Sequence, residues 1–245
     1  MLSIENLSKT FDKMKVFEDF SIKIENNSFH VLTGPSGCGK TTFFNILMGN
    51  TSKDKGTIFW QGEKIDHLGS IAAFMQQKDL LLPWLSLFEN AMLPVRFGSS
   101  GYSTQRVKCR ELFNFMGIGG FETFFPSRVS GGMKKRCALA RTLMFNRDVI
   151  LLDEPLSSLD TLRRYDMYSL LLSLQQKFGK TILMITHDID EALLLADRLT
   201  LVTNMPMKRK QTFSSFPQKP RIFSDSKLTR LKEEVLANLE GTSAI

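Results

Sequence analysis

Cysteine, histidine and tryptophan are scarce in this chain: 245 residues hold 3 Cys, 3 His and 2 Trp. Cys38, Cys109 and Cys137 are odd in number and form no close pair, which excludes a disulfide framework and a cysteine metal site and suits a reducing compartment. The scattered histidines make no metal cluster. No run approaches the roughly 18 apolar residues that a bilayer-spanning helix needs. The opening MLSIENLSKTFDKMK lacks the apolar stretch of a secretion signal. The expected location is therefore cytoplasmic, with any membrane role supplied by partners. Internal repeats and low-complexity segments are missing too. There is no base-reading motif or aromatic stacking platform, so no nucleic-acid partner is expected.

What is present suits one folded domain. Hydrophobic residues make up 42% and charged residues 23%, an ordinary balance for a chain that buries a core. The net charge of +7 is unevenly placed: residues 204–232 carry eight Lys or Arg against the single acid Asp225. Two readings of that segment stand side by side, a solvated tail and a surface that tracks anionic headgroups.

Periodicity divides the chain into blocks. SIENLSKTF and FEDFSIKIE alternate apolar and polar residues as half-buried antiparallel strands do. SFHVLTG is a short buried strand ending in glycine, followed by a Gly-rich loop and the helical KTTFFNILMG. GTIFWQGE reads as a hairpin and IAAFMQQ as a strand. Residues 85–145 carry helical spacing with no intervening strand, as an inserted helical subdomain would. VILLDE, a helix over 162–178, TILMITH, a helix over 189–196 and LTLVT then alternate. This pattern predicts an α/β fold with a mostly parallel sheet covered on both faces. The expected organisation is a single domain over 1–245, with a core formed by 1–84 and 146–205, the helical insert, an N-terminal antiparallel β subdomain, and a basic extension over 206–245 containing a helix at LTRLKEEVLANLE.

Residues 34–42 read GPSGCGKTT and satisfy the phosphate-loop pattern at Gly34, Gly39, Lys40 and Thr41. Such a loop curls its backbone N–H groups around a phosphate chain, and the helix that follows adds its positive end. Gly34, Pro35, Ser36, Gly37, Cys38, Gly39, Lys40, Thr41 and Thr42 are thus candidate nucleotide contacts. Lys40 can bridge the β- and γ-phosphates, and Thr41 can ligate Mg²⁺. Asp153 ends an apolar strand, the usual place for the acid that holds Mg²⁺ through water. Glu154 follows and, by strand alternation, points elsewhere, where its carboxylate can act as a general base on water. Taken alone, an acidic pair at a strand end is a solvated terminus; the phosphate loop in the same chain gives it a function.

VSGGMKKR at 129–136 is more specific. Ser130, Gly131 and Gly132 open a helix and present bare donors to an anion. SSLD follows the acidic pair, and ITHD places His187 at the end of the next strand. With these motifs the chain resembles the ATP-binding cassette family along nearly its whole length. The resemblance implies ATP hydrolysis with Mg²⁺ by two copies of the chain packed head to tail. In that arrangement Ser130, Gly131 and Gly132 of one copy contact the nucleotide held by the other, and Asp160 lies at the seam. His187 reaches the γ-phosphate, Gln77 senses Mg²⁺ and the attacking water, and Phe11 stacks on adenine beside Val16. Alone, His187 would be a core histidine and Phe11 a core aromatic. The departures at Val129 and Met133 remove no phosphate-contacting group.

LLLPWLSLFENAM, THDIDEALLLADR and FPQKPR are similar to segments of nitrate, sulfonate and taurine import ATPases, and of relatives thought to carry thiamine precursors. This implies two membrane permease subunits as partners, docked near Leu80–Trp84, and a solute-binding protein engaged indirectly. The chain would then sit peripherally on the cytoplasmic side of the membrane. The rival readings are a soluble cassette acting on nucleic acid or the ribosome, and an exporter motor.

Overall fold

The computed structural model describes residues 1–96, 102–157, 159–222 and 224–240. Ser158 of SSLD, residues 97–101 of the helical stretch and the end of the basic extension at 241–245 lie outside them. The chain begins with β1 (Leu2–Phe11), β2 (Met14–Ile24), β3 (Phe29–Thr33) and α1 (Lys40–Met48), then β4 (Lys55–Trp60), β5 (Glu63–Ile65) and β6 (Ala72–Met75). Four helices follow: α2 (Leu87–Ala91), α3 (Leu93–Arg96), α4 (Tyr102–Phe115) and α5 (Gly131–Met144). Next come β7 (Val149–Asp153), α6 (Thr161–Phe178), β8 (Thr181–Ile185), α7 (Ile189–Leu195), β9 (Arg198–Val202), β10 (Arg209–Phe213) and α8 (Ser226–Glu240).

Two sheets result. One is antiparallel, in the order β2-β1-β4-β5; the other has the order β10-β9-β3-β8-β7-β6, parallel except at β10. Strand alternation gives the second sheet two apolar faces. Ile150 and Leu152 pack with the helices α2 and α4–α8, whereas Val149 and Leu151 pack with α1 and the antiparallel sheet. In the second layer Phe43 of α1 meets Phe17, Phe20 and Phe44, with ring centroids 5.3–6.4 Å apart. Asp153 follows the parity of Val149 and Leu151 and so ends β7 on the face that carries α1.

The solvated-tail reading of residues 204–232 is overturned. β10 pairs antiparallel with β9 and extends the main sheet. Leu228 and Val235 of α8 are buried in the larger core cluster. Lys219, Arg221 and Lys232 serve this docking. Lys219 is paired with Asp197 at 2.7 Å, and Lys232 with Asp190 at 2.6 Å. Arg221 donates to the carbonyls of Leu193, Leu194 and Ala196, satisfying the open end of α7. Burial holds the Arg221 guanidinium down to about 10. No helix among the described residues is long and apolar enough to cross a membrane.

Candidate nucleotide site

The glycines of the loop between β3 and α1 have specific tasks. A Cβ on Gly34 would fall 2.6 Å from the Val202 side chain, where the loop leaves the sheet beside β9. Gly39 adopts φ 109° and caps α1 with its Cα against Val16, where a Cβ would fall 2.5 Å from the Val16 methyl. Both positions therefore need glycine. No side chain caps α1, which leaves the first-turn N–H groups open to an anion. They face a cavity of about 390 Å³ lined by Ser36, Gly37, Gly39, Lys40, Thr41, Thr42, Gln77, Glu154, Ile185 and His187.

Lys40 is buried, and its ammonium donates to the carbonyls of Gly34 at 2.9 Å and Pro35 at 2.7 Å. The cation is thus held within its own loop, folded back on carbonyls that a phosphate can replace. Cys38 turns its side chain into the core, so only its backbone can serve a ligand. Asp153 is buried. Desolvation raises its pKa, opposed by a hydrogen bond from Thr41 and by the charge of Lys40. The Thr41 hydroxyl, the Asp153 carboxylate and the Gln77 amide are hard oxygen donors of the kind Mg²⁺ takes. No cluster of three or more His, Cys, Asp or Glu that could hold a metal occurs among the described residues. A cation here would accordingly share its ligands with phosphate oxygens and water.

Glu154 reaches the cavity in a way that strand alternation does not give. It lies just past β7 with φ 45°, in the left-handed region that a residue with a Cβ enters at a cost. Its N–H donates to the Ile185 carbonyl, which pins the turn to β8. The carboxylate then sits between two partners. Gln77 Nε2 donates to Oε2 at 2.9 Å, and His187 Nδ1 lies 2.9 Å from Oε1. Gln77, not its neighbour Gln76, makes this contact.

The other expected contacts lie apart from this cavity. Ser130 caps α5 by accepting from the Met133 N–H at 3.3 Å. Gly131 lines a separate space of about 540 Å³ with Gln77, Lys78, Asp79, Lys135, Ser157 and Leu159. Asp160 caps α6 by accepting from the Arg163 N–H. Phe11 is 41% exposed at the end of β1, with the Lys9 ammonium 5.0 Å from its ring centroid. Val16 is buried beneath the loop. One chain therefore brings together the phosphate loop, Gln77, Asp153, Glu154 and His187, and leaves Phe11, Ser130–Gly132 and Asp160 outside the cavity.

Several residues contribute in ways that no motif revealed, although Lys135 lies within the 129–136 segment. Lys135 of α5, buried, donates to the Gln77 carbonyl, and Arg141 donates to the carbonyls of Asp79 and Leu80. These two cations fasten the segment after Gln77 to α5. Asn90 is fully buried; its side chain accepts from the Leu82 N–H and donates to the carbonyls of Leu82, Leu85 and Ser86. It thereby shapes the Leu80–Leu85 loop from inside. In sequence these residues look like ordinary polar positions of helices; only the spacing of Ser86 and Glu89, a capping box, marks the helix start.

Comparison with known proteins bears on this geometry. A family model described as ABC transporter matches residues 17–157. The chain is 36% identical to the formylaminopyrimidine import ATP-binding protein ThiZ of Halalkalibacterium halodurans, over 84% of this chain and 81% of that one. It is 32% identical to the aliphatic sulfonates import ATP-binding protein SsuB of Bacillus cereus, over 98% and 96%. It is 37% identical to the taurine import ATP-binding protein TauB of a Jannaschia species, over 84% and 78%. Among solved structures, the dimeric form of MJ0796, a bacterial ABC transporter cassette, superposes with a TM-score of 0.76 at 26% identity, covering 91% of this chain and 100% of that one. The post-hydrolysis MJ0796 dimer bound to ADP and phosphate gives 0.74 at the same identity and coverage.

Proposed function

Because the chain belongs to the ABC transporter family, and is with it an ATP-binding ATPase, we propose that it powers a membrane importer of small solutes such as sulfonates, taurine, nitrate or thiamine precursors. The observation that carries the chemistry is the Glu154 carboxylate, held between Gln77 and His187 at the mouth of the phosphate loop.

The loop N–H groups and α1 hold the phosphate chain. Lys40 exchanges the Gly34 and Pro35 carbonyls for the β- and γ-phosphate oxygens. Thr41, Asp153 and Gln77 would hold Mg²⁺, which would supply neutralisation of the charge on the transferred phosphoryl group. Glu154 takes a proton from the attacking water onto a carboxylate oxygen while the water oxygen forms its bond to the γ-phosphorus and the bond to the ADP oxygen breaks. Gln77 and His187 fix the direction of that carboxylate, and His187 contacts the γ-phosphate. A second copy closes the site with Ser130, Gly131 and Gly132, and its Asp160 lies at the seam. Two facts support this reading: those residues lie outside the cavity within one chain, and the similar MJ0796 cassette forms a dimer. Phe11, exposed at the end of β1, stacks on adenine, with Val16 supporting the loop beside it.

The permease surface is the loop that Asn90 shapes. Leu80 is 49% and Trp84 69% exposed, and Phe121, Phe124 and Phe125 are exposed as well. The backbone joins the two groups: the N–H groups of Leu87 and Phe88 donate to the carbonyls of Phe124 and Glu122. An apolar patch of this kind marks a partner site. The partner is a cytoplasmic segment of each of two permease subunits, so the chain sits at the inner membrane surface, with a solute-binding protein acting at one remove.

The test is Glu154→Gln. The variant should bind ATP and dimerise, with phosphate release lowered by about 100-fold or more. Release within a few-fold of wild type would remove Glu154 from the role of base. Co-purification from gently solubilised membranes should recover a polytopic subunit; recovery of ribosomes or nucleic acid instead would overturn the importer reading.

A further inference from the structure

Behind His187 lies a closed set of polar contacts that the proposed chemistry leaves unused. Thr186 and Glu191 are both buried. The Thr186 hydroxyl donates to Glu191 Oε2 at 2.6 Å and accepts from the Asp188 N–H at 3.0 Å. Asp188 Oδ1 accepts from the N–H groups of Asp190 and Glu191, capping α7, while Oδ2 accepts from Arg164 Nη1 at 3.0 Å. Arg164 Nε donates in turn to the Leu159 carbonyl, in the segment between Glu154 and Asp160. Residues 186 and 188 are therefore both fixed, one to α7 and the other to α6, and His187 stands between them with its ring largely in solvent.

An exposed imidazole on a surface turn ordinarily samples several directions, whereas here it must meet Glu154 at hydrogen-bond distance. We propose that Glu191 and Arg164 are positioning residues for hydrolysis, Glu191 fixing the His187 turn through Thr186 and Arg164 locking that turn to the Leu159–Asp160 segment through Asp188. The inference rests on the role of His187 proposed above. It accounts for a carboxylate that folding alone does not require: burial, helped by Asp188, raises Glu191 to about 7 against the bond from Thr186, so an apolar side chain would fill the same space at lower cost. It also ties His187 to the segment that carries Asp160, so a shift of Asp160 on pairing with a second copy is passed to His187 through named bonds.

The test uses Glu191→Leu, which keeps the volume and removes the acceptor, and Glu191→Gln, which keeps an acceptor oxygen for Thr186. Glu191→Leu should lower kcat about tenfold with KM for ATP within about twofold, and Glu191→Gln should restore most of it. Thr186→Val should match Glu191→Leu, and Thr186→Ser should recover, which covers the case of a poorly folding Glu191→Leu chain. In a His187→Ala background Glu191→Leu should have no further effect on kcat. An equal further loss there, or a wild-type kcat in both Glu191→Leu and Thr186→Val, overturns the positioning role. A His187→Ala chain with wild-type turnover overturns instead the reading of His187 on which it rests.

Discussion

Lys40 is a buried cation held by its own loop. Its ammonium is bonded to two carbonyls of its own loop, so Lys40→Ala leaves those acceptors at the edge of an open cavity and should do little harm to folding. The expected result is a loss of ATP affinity of about 100-fold or more by calorimetry, with the melting temperature nearly unchanged. Buried titrating groups give a second prediction. Glu191 is raised to about 7, so the native state resists its ionisation and stability falls as pH rises from about 4.5 to 7. His30 hydrogen-bonds to Thr200 and is held down to about 4 by burial and by Arg198. The native state resists its protonation, so stability falls as pH drops from 6.5 towards 4. The two slopes oppose one another between about 4.5 and 6.5. Glu191→Gln should remove the first slope only, gaining on the order of 2–4 kcal/mol relative to wild type at pH 8 compared with pH 4.5. Denaturant titrations at the two values check it.

The aromatic layer under α1 carries the load at the scale of elements. Phe43 is fully buried against Phe17 and Phe20 of β2 and beside Phe44. Phe43→Ala should cost about 3–5 kcal/mol by urea unfolding and loosen the loop that α1 supports. Most elements were legible because their signals are local. The strand runs have period two, the glycines mark turns, and the residues at 34–42, 129–136 and 153–160 keep fixed spacing. Three features were not legible. The direction of Glu154 comes from a left-handed backbone turn that no spacing announces. The docking of residues 206–240 looked like a charged tail because its cations answer Asp190, Asp197 and the end of α7, which are close only in the fold. Lys135, Arg141 and Asn90 act through backbone carbonyls, and a carbonyl leaves no mark in a sequence.

For the whole molecule, the exposed Leu80, Trp84 and Phe125 side chains separate two properties that usually fall together. Trp84→Ala combined with Phe125→Ala should leave ATP turnover of the isolated chain within about twofold and stability within about 0.5 kcal/mol, since neither ring is buried. Co-purification with the permease should drop about tenfold or more. A consequence for biosynthesis follows from strand order. The strand leading into the phosphate loop is paired on one side with β8 and on the other with β9: Phe29 meets Ile182 and His30 meets Arg198. During translation the loop is made early, yet both neighbours of its strand emerge late. The sheet around that strand is therefore complete only once residue 202 has been made, and chains cut short before it should bind ATP weakly.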